Sequence, residues 1–277
     1  MEKTNYTLIE GIKCYHPDQC RQYTDYPDEG FDLTGELEES SFWGRSRNRL
    51  LKQLLLAYCG AENKTRFLEI GCGTGFFLRD LARYNNFEIT GSEVYLKGLQ
   101  YTRDKVPGVE FIQLDARSMP FRDEFDAIGA FDVIEHIDDD EAVMASVHRA
   151  LTAGGYFIVT VPQYMFLWST LDELVRHKRR YSRAELRDKL RRNGFELVYD
   201  SSFVFVLFPL MLVSRLLDRS TPGADSKAEF ERRVKMPHIV NWLFDKMMRI
   251  DEALIRFGVS LPFGGSLLVV VRKPQAD

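Results

Sequence analysis

Phe67-Leu68-Glu69-Ile70-Gly71-Cys72-Gly73-Thr74-Gly75 is the stretch that decides the fold of this 277-residue chain. An apolar run reaches an acid and opens into three glycines at alternate positions, and residues 76–82 then show helical spacing. This order predicts a strand, a tight turn and a helix. Glycine permits positive φ and a close ligand approach, and a helix N-terminus favours a carboxylate or phosphate. The turn is therefore a candidate ligand site, with Glu69 at the strand end where open α/β sheets bind ligands.

The glycine spacing, Gly-x-Gly-x-Gly, differs from the Gly-x-Gly-x-x-Gly pattern of dinucleotide-binding enzymes. A turn that only packs its strand against its helix would contain the same glycines, so the flanking sequence decides between the two interpretations. Further strands and their exits are predicted at residues 87–93, 109–116, 125–136 and 151–162. The first of these ends at Glu93, which can accept both hydroxyls of a ribose, and the next reaches Asp115, placed to meet an adenine amino group.

These segments resemble the class I S-adenosylmethionine-dependent methyltransferases. The matching motifs are LEIGCGTG, the acid Glu93, the LDA triplet at 114–116, FDAIGAFDVIEHI and LTAGGYFIVTVP, in family order and spacing over residues 64–200 and at the last strand. The resemblance implies an α/β fold: a seven-stranded, mostly parallel Rossmann-like sheet with helices on both faces and a final antiparallel hairpin. It also implies the cofactor S-adenosyl-L-methionine, with S-adenosyl-L-homocysteine as the product.

The resemblance also implies cofactor contacts, position by position. The glycine turn is assigned to the methionine part of the cofactor, Glu93 to its ribose, Asp115 and Ala116 to its adenine, and Phe131 to the methionyl end. The full set of predicted cofactor-binding residues is Glu69, Gly71, Gly73, Gly75, Glu93, Asp115, Ala116 and Phe131.

His136 is the first candidate for a catalytic base, because it lies in the loop after the fourth strand and an imidazole there is expected to titrate near neutrality. Packing, or capping of the acidic helix start at residues 138–141, would explain it equally well. His177 is the second candidate; with Tyr181 it follows the fifth strand and is expected to face the crevice. This region lines the acceptor pocket in the family's small-molecule members, although no role transfers by motif.

No metal site is predicted, because no His, Asp and Glu set shows metal-ligand spacing. Cys14, His16 and Cys20 are close in sequence, but the second pair that a zinc site needs is missing. We therefore expect unpaired surface cysteines.

The net charge of −4 hides a basic segment. Residues 176–192 hold nine Lys or Arg and two acids, so the rest of the chain sums to −11. Ser182 and Glu185 form a capping-box pattern and predict a helix over residues 183–193, with Arg183, Arg187 and Arg191 on its outer face. That face is either solvated or in contact with an anionic group. Nucleic acid is not expected, since the remainder of the chain would repel it.

Two additions flank the predicted sheet, and we divide the chain accordingly. Residues 1–60 form an N-terminal arm and helix, residues 61–202 and 263–277 the cofactor-binding domain, and residues 203–262 a helical insertion between the sixth and seventh strands. Residues 1–40 are predicted to be irregular, and a helix follows around residues 50–58. Trp43 either anchors that helix or closes over the cofactor together with Arg47.

The insertion begins with the apolar residues 203–217, which are too few for a bilayer span of about 20 residues and contain Pro209, a predicted kink. They form a buried helix of a lid, a wall of an apolar substrate tunnel or an interfacial membrane anchor. A mobile loop is predicted at residues 218–226 and two helices at 240–250 and 251–257. The apolar stretch is expected to be covered by the sheet domain, by a substrate, by a membrane or by side chains of the helix at 240–250, namely Trp242, Leu243, Phe244, Met247 and Met248.

The sequence thus predicts a methyltransferase that acts on a small or amphiphilic acceptor, by O-methylation. A lipid-linked sugar, a prenylated ring or an aromatic natural product would suit the insertion. The alternatives are a catalytically inactive S-adenosylmethionine-binding partner protein and a nicotinamide-dependent oxidoreductase. Since no signal pattern opens the chain, we expect a cytoplasmic protein, with residues 203–217 as a candidate peripheral membrane contact.

Overall fold

The computed structural model describes residues 6–20, 38–60, 64–216 and 236–275. Strands of these ranges form one nine-stranded sheet in the order β1-β2-β5-β4-β3-β6-β7-β9-β8. The strands are β1 (Thr7–Ile9), β2 (Ile12–Cys14), β3 (Thr65–Ile70), β4 (Phe87–Glu93), β5 (Glu110–Gln113), β6 (Phe125–Phe131), β7 (Leu151–Pro162), β8 (Glu196–Phe203) and β9 (Ser266–Arg272). Seven of them, β3 to β9, confirm the predicted Rossmann-like methyltransferase sheet.

The strand directions bring the ends of most strands to one edge. β2 to β7 are joined by parallel pairings, and β9 is antiparallel to both β7 and β8. β8 therefore runs with β7, and the carboxyl ends of β3 to β8 meet at one side, here called the carboxyl edge. The predicted final antiparallel hairpin is confirmed in β8 and β9.

The two extra strands correct the prediction of an irregular segment over residues 1–40. β1 and β2 form a hairpin, and β2 adds to the sheet beside β5. The turn between them is Glu10-Gly11, with φ of 51° and 79°, a backbone that suits two-residue hairpins. Ile12 and Cys14 are both buried on one face of β2, so the hairpin also contributes to the core.

Helices cover both faces of the sheet. They are α1 (Phe42–Cys59), α2 (Phe76–Leu81), α3 (Leu96–Arg103), α4 (Asp140–Ala150), α5 (Thr170–Leu174), α6 (Arg183–Arg192), α7 (Phe208–Leu216) and α8 (His238–Arg256). Successive strand side chains point to opposite faces, so Phe67 joins a buried cluster with α1, α2, α3 and α8, whereas Leu68 joins one with α4 and α6. Across the described ranges, no helix combines the length and apolar character that a bilayer span requires.

α6 confirms the predicted capping box, in which the Glu185 N–H donates to Ser182 Oγ at 3.2 Å. Its arginine face is largely engaged within the molecule. Arg187 donates to Asp200 on β8 at 2.7 Å, and Arg183 donates to Ser202 Oγ at 3.0 Å. These contacts tie α6 to the sheet, so two of the three arginines are not a free anion-binding surface.

The described part of the insertion departs from the sequence prediction in three ways. Pro209 causes no kink, because it lies in the first turn of α7, where proline is tolerated. The two predicted helices after residue 240 are one continuous helix, α8. Trp242 and Leu243 are 60% and 48% exposed and so do not cover the apolar stretch, whereas Met248 is buried. The loop predicted at residues 218–226 lies outside the described residues.

α8 is fixed to α1 by charged side chains. Arg49 donates to Glu252 at 2.6 Å and to Asp245 at 3.0 Å, and Ser46 Oγ donates to Glu252 at 2.8 Å. Asp251 accepts the N–H groups that lead from β8 into α7, at 2.6 Å and 3.1 Å. The insertion is therefore built into the body of the molecule.

Candidate functional site

The three glycines of the turn between β3 and α2 all have positive φ, as predicted: 66°, 50° and 72° at Gly71, Gly73 and Gly75. They differ in what surrounds them. A Cβ on Gly71 would lie 2.7 Å from Val133, and one on Gly75 would collide with Thr102. At Gly73, by contrast, no atom of the described residues comes within 4 Å of that position. Packing thus explains two of the glycines, and Gly73 leaves the backbone open to a ligand.

Two carboxyl groups flank this turn at the carboxyl edge, a buried one at Glu69 and a partly buried one at Glu93. Glu69, in β3, is 4% exposed, and its Oε2 has no hydrogen-bond partner among the described residues. Glu93, the last residue of β4, accepts the N–H of Val94 at 2.8 Å. Burial raises the pKa of Glu93, and it raises the pKa of Glu69 well above its usual range. Both carboxyls would gain from polar hydrogens supplied by a ligand.

Asp115 lies where it was predicted, after β5, but its carboxyl group is already engaged. It accepts the guanidinium of Arg117 at 2.6 Å and the Arg117 N–H at 2.9 Å. Burial acts to raise the pKa of Asp115, but these contacts outweigh it and hold the pKa below its usual range. Less acceptor capacity is left for an adenine amino group than the resemblance implies. Ala116 is buried and begins the short turn Ala116–Ser118.

His16 is a residue of this region that sequence reasoning missed. Its Nδ1 accepts the N–H of Asp115 at 3.1 Å, and its Nε2 lies 3.0 Å from Ser118 Oγ. Desolvation by burial lowers the pKa of His16. The β1–β2 hairpin brings it there from a distant part of the chain, and no local signal predicts such a contact.

Phe131 ends β6 with its ring against Phe77, at a centroid distance of 5.0 Å. Arg47 of α1 reaches this point: it donates to the Phe131 carbonyl at 3.0 Å and pairs with Asp132 at 2.8 Å. Its guanidinium also lies 4.8 Å from the Trp43 ring. Arg47 therefore lies at the carboxyl edge with Trp43 against its guanidinium. Trp43 also packs against the buried cluster, which suits the interpretation that it anchors the helix, and closure over the cofactor stays a prediction.

Glu38 is a second residue that the sequence did not reveal. Its carboxyl group accepts Thr74 Oγ1 at 2.6 Å on the glycine turn and lies 3.7 Å from Arg47. Burial raises its pKa. A carboxylate thus occupies the turn to which the resemblance assigns the methionine part of the cofactor.

The two candidate catalytic histidines come together, with ring centroids 4.8 Å apart. Burial, followed by the charge of His177, lowers the pKa of His136 to about 4, so the expectation of titration near neutrality is wrong. His136 does not cap α4, since Asp139 accepts the Ala142 N–H there at 3.0 Å. Tyr181 does not face the crevice: it is fully buried, and its hydroxyl donates to an acid in α4 at 2.7 Å.

Two expectations about metals and cysteines change. Glu135, His136 and His177 bring one donor atom each to within 4.8 Å of one another, a set that linear spacing could not show because His177 comes from a different connection. All four cysteines are free, as predicted, but they are buried rather than on the surface. Burial raises the pKa of Cys59 to about 12 and that of Cys72, in the glycine turn, well above its usual range. These thiols are therefore unreactive.

A small cavity lies between α1 and the carboxyl edge. Its lining residues are Arg47, Leu50, Leu51, Asp132, Thr160, Phe203, Ser266, Leu267 and Leu268. Most of its wall is apolar, with the Arg47–Asp132 pair on one side. The walls of this cavity come from α1 and from strand ends, and Phe203 is the one lining residue that belongs to residues 203–262.

Comparisons with known proteins agree with this geometry. A family model described as "Methyltransferase domain" matches residues 68–159. The chain is 30% identical over 184 residues to a "Probable S-adenosylmethionine-dependent methyltransferase" of Mycolicibacterium smegmatis, covering 62% of this chain and 68% of that protein. It is 34% identical over 108 residues to a fatty-acid O-methyltransferase of the same organism, covering 38% and 39%.

Among solved structures, the chain is similar to a phosphoethanolamine N-methyltransferase 2 of Haemonchus contortus in complex with S-adenosyl-L-methionine. The TM-score is 0.60 at 18% identity, over 92% of this chain and 59% of that one. At this identity the likeness concerns the fold. The chain spans about two thirds of the first relative and well under half of the fatty-acid methyltransferase.

Proposed function

This chain belongs to the S-adenosylmethionine-dependent methyltransferases, and from that premise we propose that it methylates an oxygen of a small or amphiphilic acceptor. The cofactor supplies a methyl group activated on a sulfonium sulfur, whereas the protein supplies binding, alignment and a dry pocket. Two observations fit that cofactor: the backbone is open at Gly73, and Oε2 of the buried Glu69 has no hydrogen-bond partner within the described ranges. Glu93 and the glycine turn would hold the ribose and the methionine part.

The observation that carries the acceptor proposal is a set of exposed apolar side chains on the insertion. The fractions exposed are 54% for Leu210, 54% for Val213, 81% for Ile239 and 60% for Trp242. Each of the two helices thus carries a pair of exposed apolar side chains one turn apart, and exposed apolar groups of this kind favour an interaction site over plain solvation. α7 begins just after β8 reaches the carboxyl edge, so this surface adjoins the crevice. Residues 203–262 would then be the acceptor-binding lid, beside a cofactor domain at 61–202 and 263–277.

An amphiphilic acceptor agrees with this surface. A lipid-linked sugar, a prenylated ring or an aromatic natural product each combines an apolar body with a group that can be methylated. The fatty-acid O-methyltransferase among the relatives supports transfer to oxygen. We also propose that the exposed side chains of α7 touch a membrane surface, from which such an acceptor would be collected.

His136 and His177 would lie beside the acceptor, in the loops that follow β6 and β7. With its lowered pKa, His136 is neutral at pH 7, the form that can accept a proton, but its low basicity makes it a weak base. Positioning of the acceptor and exclusion of water would then contribute more to the rate enhancement than proton removal does.

Turnover tests this proposal. The protein is incubated with S-adenosyl-L-methionine labelled in the methyl group and with a fatty acid, a prenylated phenol, a water-soluble phenol or a membrane lipid extract. We expect label in the apolar acceptors as an ester or ether, and S-adenosyl-L-homocysteine in equal amount. Label only in the water-soluble phenol would contradict the acceptor class. Cofactor binding without turnover of any acceptor would favour the inactive partner protein.

Membrane contact is tested separately. The double variant Leu210→Gln with Val213→Gln should bind anionic or neutral lipid vesicles less in a flotation assay, while its affinity for S-adenosyl-L-methionine stays unchanged. Leu197→Gln is the matched control, because Leu197 is 48% exposed but lies at the opposite end of β8. Equal flotation of the wild type, the double variant and the Leu197→Gln control would show that α7 does not touch the membrane.

A further inference from the structure

Glu135 is a fully buried acid that the cofactor site does not use. Its exposed fraction is 0%, and neither carboxyl oxygen has a hydrogen-bond partner among the described residues. A buried carboxylate without partners is costly, and such groups normally bind a cation or a proton. The cations nearest to it have other partners, since Arg47 pairs with Asp132 at 2.8 Å and Arg180 with Asp172 at 2.8 Å.

His177 is oriented toward this acid by a second carboxylate. Its Nδ1 lies 2.8 Å from Asp172, and its Nε2 lies 3.7 Å from Glu135. Asp172 is itself held by Arg180 and by the N–H of Ser169 at 2.9 Å. A proton on Nδ1 donated to Asp172 would leave Nε2 as the nitrogen available for a ligand on the side of Glu135. Metal-binding histidines are commonly oriented in this way by a carboxylate on the other ring nitrogen.

His136 completes the group from the side of β6. Its ring lies edge-on to that of His177, and it is hydrogen-bonded to the main chain of Arg176. Arg176 has a φ of 58°, an unfavourable backbone for a residue with a side chain, and such strain is concentrated at functional sites. Both imidazoles therefore have one nitrogen held from outside and one available to the centre of the group.

We propose that Glu135, His136 and His177 bind a divalent transition-metal ion. Two imidazole nitrogens and one carboxylate oxygen are a donor set for zinc, cobalt, iron or manganese. Donors bound to one ion at about 2.1 Å each lie about 3.4 Å apart in tetrahedral geometry. The donors here lie within 4.8 Å of one another, so binding requires the side chains to close by about an ångström.

Three protein donors leave at least one coordination position open, as in catalytic metal sites. That position would bind an oxygen of the acceptor and lower the pKa of that oxygen, so that its proton could pass to water. This consequence rests on the proposed function, whereas metal binding itself does not. It would restrict the acceptors to those that present an oxygen ligand, such as a phenol, an enol or a carboxylate.

Metal binding is tested on the full chain after treatment with a chelator. Titration with Co²⁺ or Zn²⁺, followed by calorimetry and by the visible absorption of Co²⁺, should show one ion per chain. Glu135→Gln and His177→Ala should each weaken binding about 100-fold or more, and Asp172→Asn about 10- to 100-fold. His238→Ala is the control, because His238 is exposed on α8 and should bind as the wild type does.

A measurement on the wild-type protein tests metal binding even where a variant fails to fold. Two-dimensional NMR of the imidazole nitrogens should show two histidines shifting together when one equivalent of Zn²⁺ is added. Absence of stoichiometric binding, or unchanged affinity in Glu135→Gln and His177→Ala, would overturn the proposal and leave His177 as an ion-paired imidazolium. Affinity for S-adenosyl-L-methionine, measured in parallel without metal, reports on the cofactor site independently.

Discussion

At the scale of single residues, Glu93 is the strongest test of the cofactor site. It ends β4 in a partly buried position, and a ribose would give its carboxyl group two hydroxyl donors. We expect Glu93→Ala to weaken S-adenosyl-L-methionine binding by about 2 kcal/mol or more, roughly 30-fold, because two charge-assisted hydrogen bonds are lost. Calorimetry measures this. Glu88→Ala, on the exposed face of the same strand, should leave the affinity unchanged.

Gly73 and Gly108 provide a matched pair for the glycine turn. Both have positive φ, 50° and 83°, and neither has an atom of the described residues within 4 Å of a would-be Cβ. Each change to alanine should cost about 1–2 kcal/mol of stability from the left-handed backbone. Only Gly73→Ala should also weaken cofactor binding, by tenfold or more. An equal affinity in the two variants would show that the ligand does not approach Gly73.

For single residues, the sequence predicts where a side chain lies better than it predicts which groups that side chain contacts. Glu69, Glu93 and Asp115 could be located because each lies within two residues of the end of an apolar strand. The pairing of Asp115 with Arg117, its contact with His16 and the meeting of His136 with His177 depend on how separate loops are folded together. Burial depends on the same packing, which is why a neutral titration was wrongly expected for His136.

At the scale of elements, the junction of α1 and α8 is held by Glu252, which is 8% exposed and accepts both Arg49 and Ser46. Glu252→Ala should lower the free energy of unfolding by about 3 kcal/mol, since it leaves Arg49 partly buried with only Asp245. Glu196→Ala removes the exposed pair with Arg272 and should cost less than about 1 kcal/mol. Urea denaturation compares them. Similar losses would mean that this junction adds no stability.

This junction also bears on how the insertion can be tested. From the sequence, replacing residues 203–262 by a short Gly-Ser turn should spare cofactor binding and abolish acceptor turnover. The structure shows that such a deletion would also remove the partners of Arg49 and Ser46 and expose α1. The exposed positions Leu210 and Val213 are therefore the cleaner test of acceptor selection.

Element ends could be predicted where the signal is local. The capping box of α6 and the glycine turn before α2 are examples, because hydrogen bonds within a few residues determine both. The β1–β2 hairpin was missed because its strands have three residues each and their pairing with β5 is long-range.

At the scale of the whole molecule, the parallel strands bring Glu69, Glu93 and Asp115 to one edge, with α1 and the insertion beside them. The family resemblance predicted this order of strands and hence the crevice. It did not predict the place of Glu38, which comes from the segment between β2 and β3, and it left Arg47 open between two interpretations.

The central claim is that the cofactor lies across the glycine turn at the carboxyl edge. A crystal structure with S-adenosyl-L-homocysteine tests it most directly. We predict density with the ribose hydroxyls at hydrogen-bond distance from Glu93, the adenine near Ala116 and the amino-acid end over Gly73, with Glu38 displaced from Thr74. Density for the ligand at any other part of the chain, or Glu93 without contact to the ribose, would contradict the account.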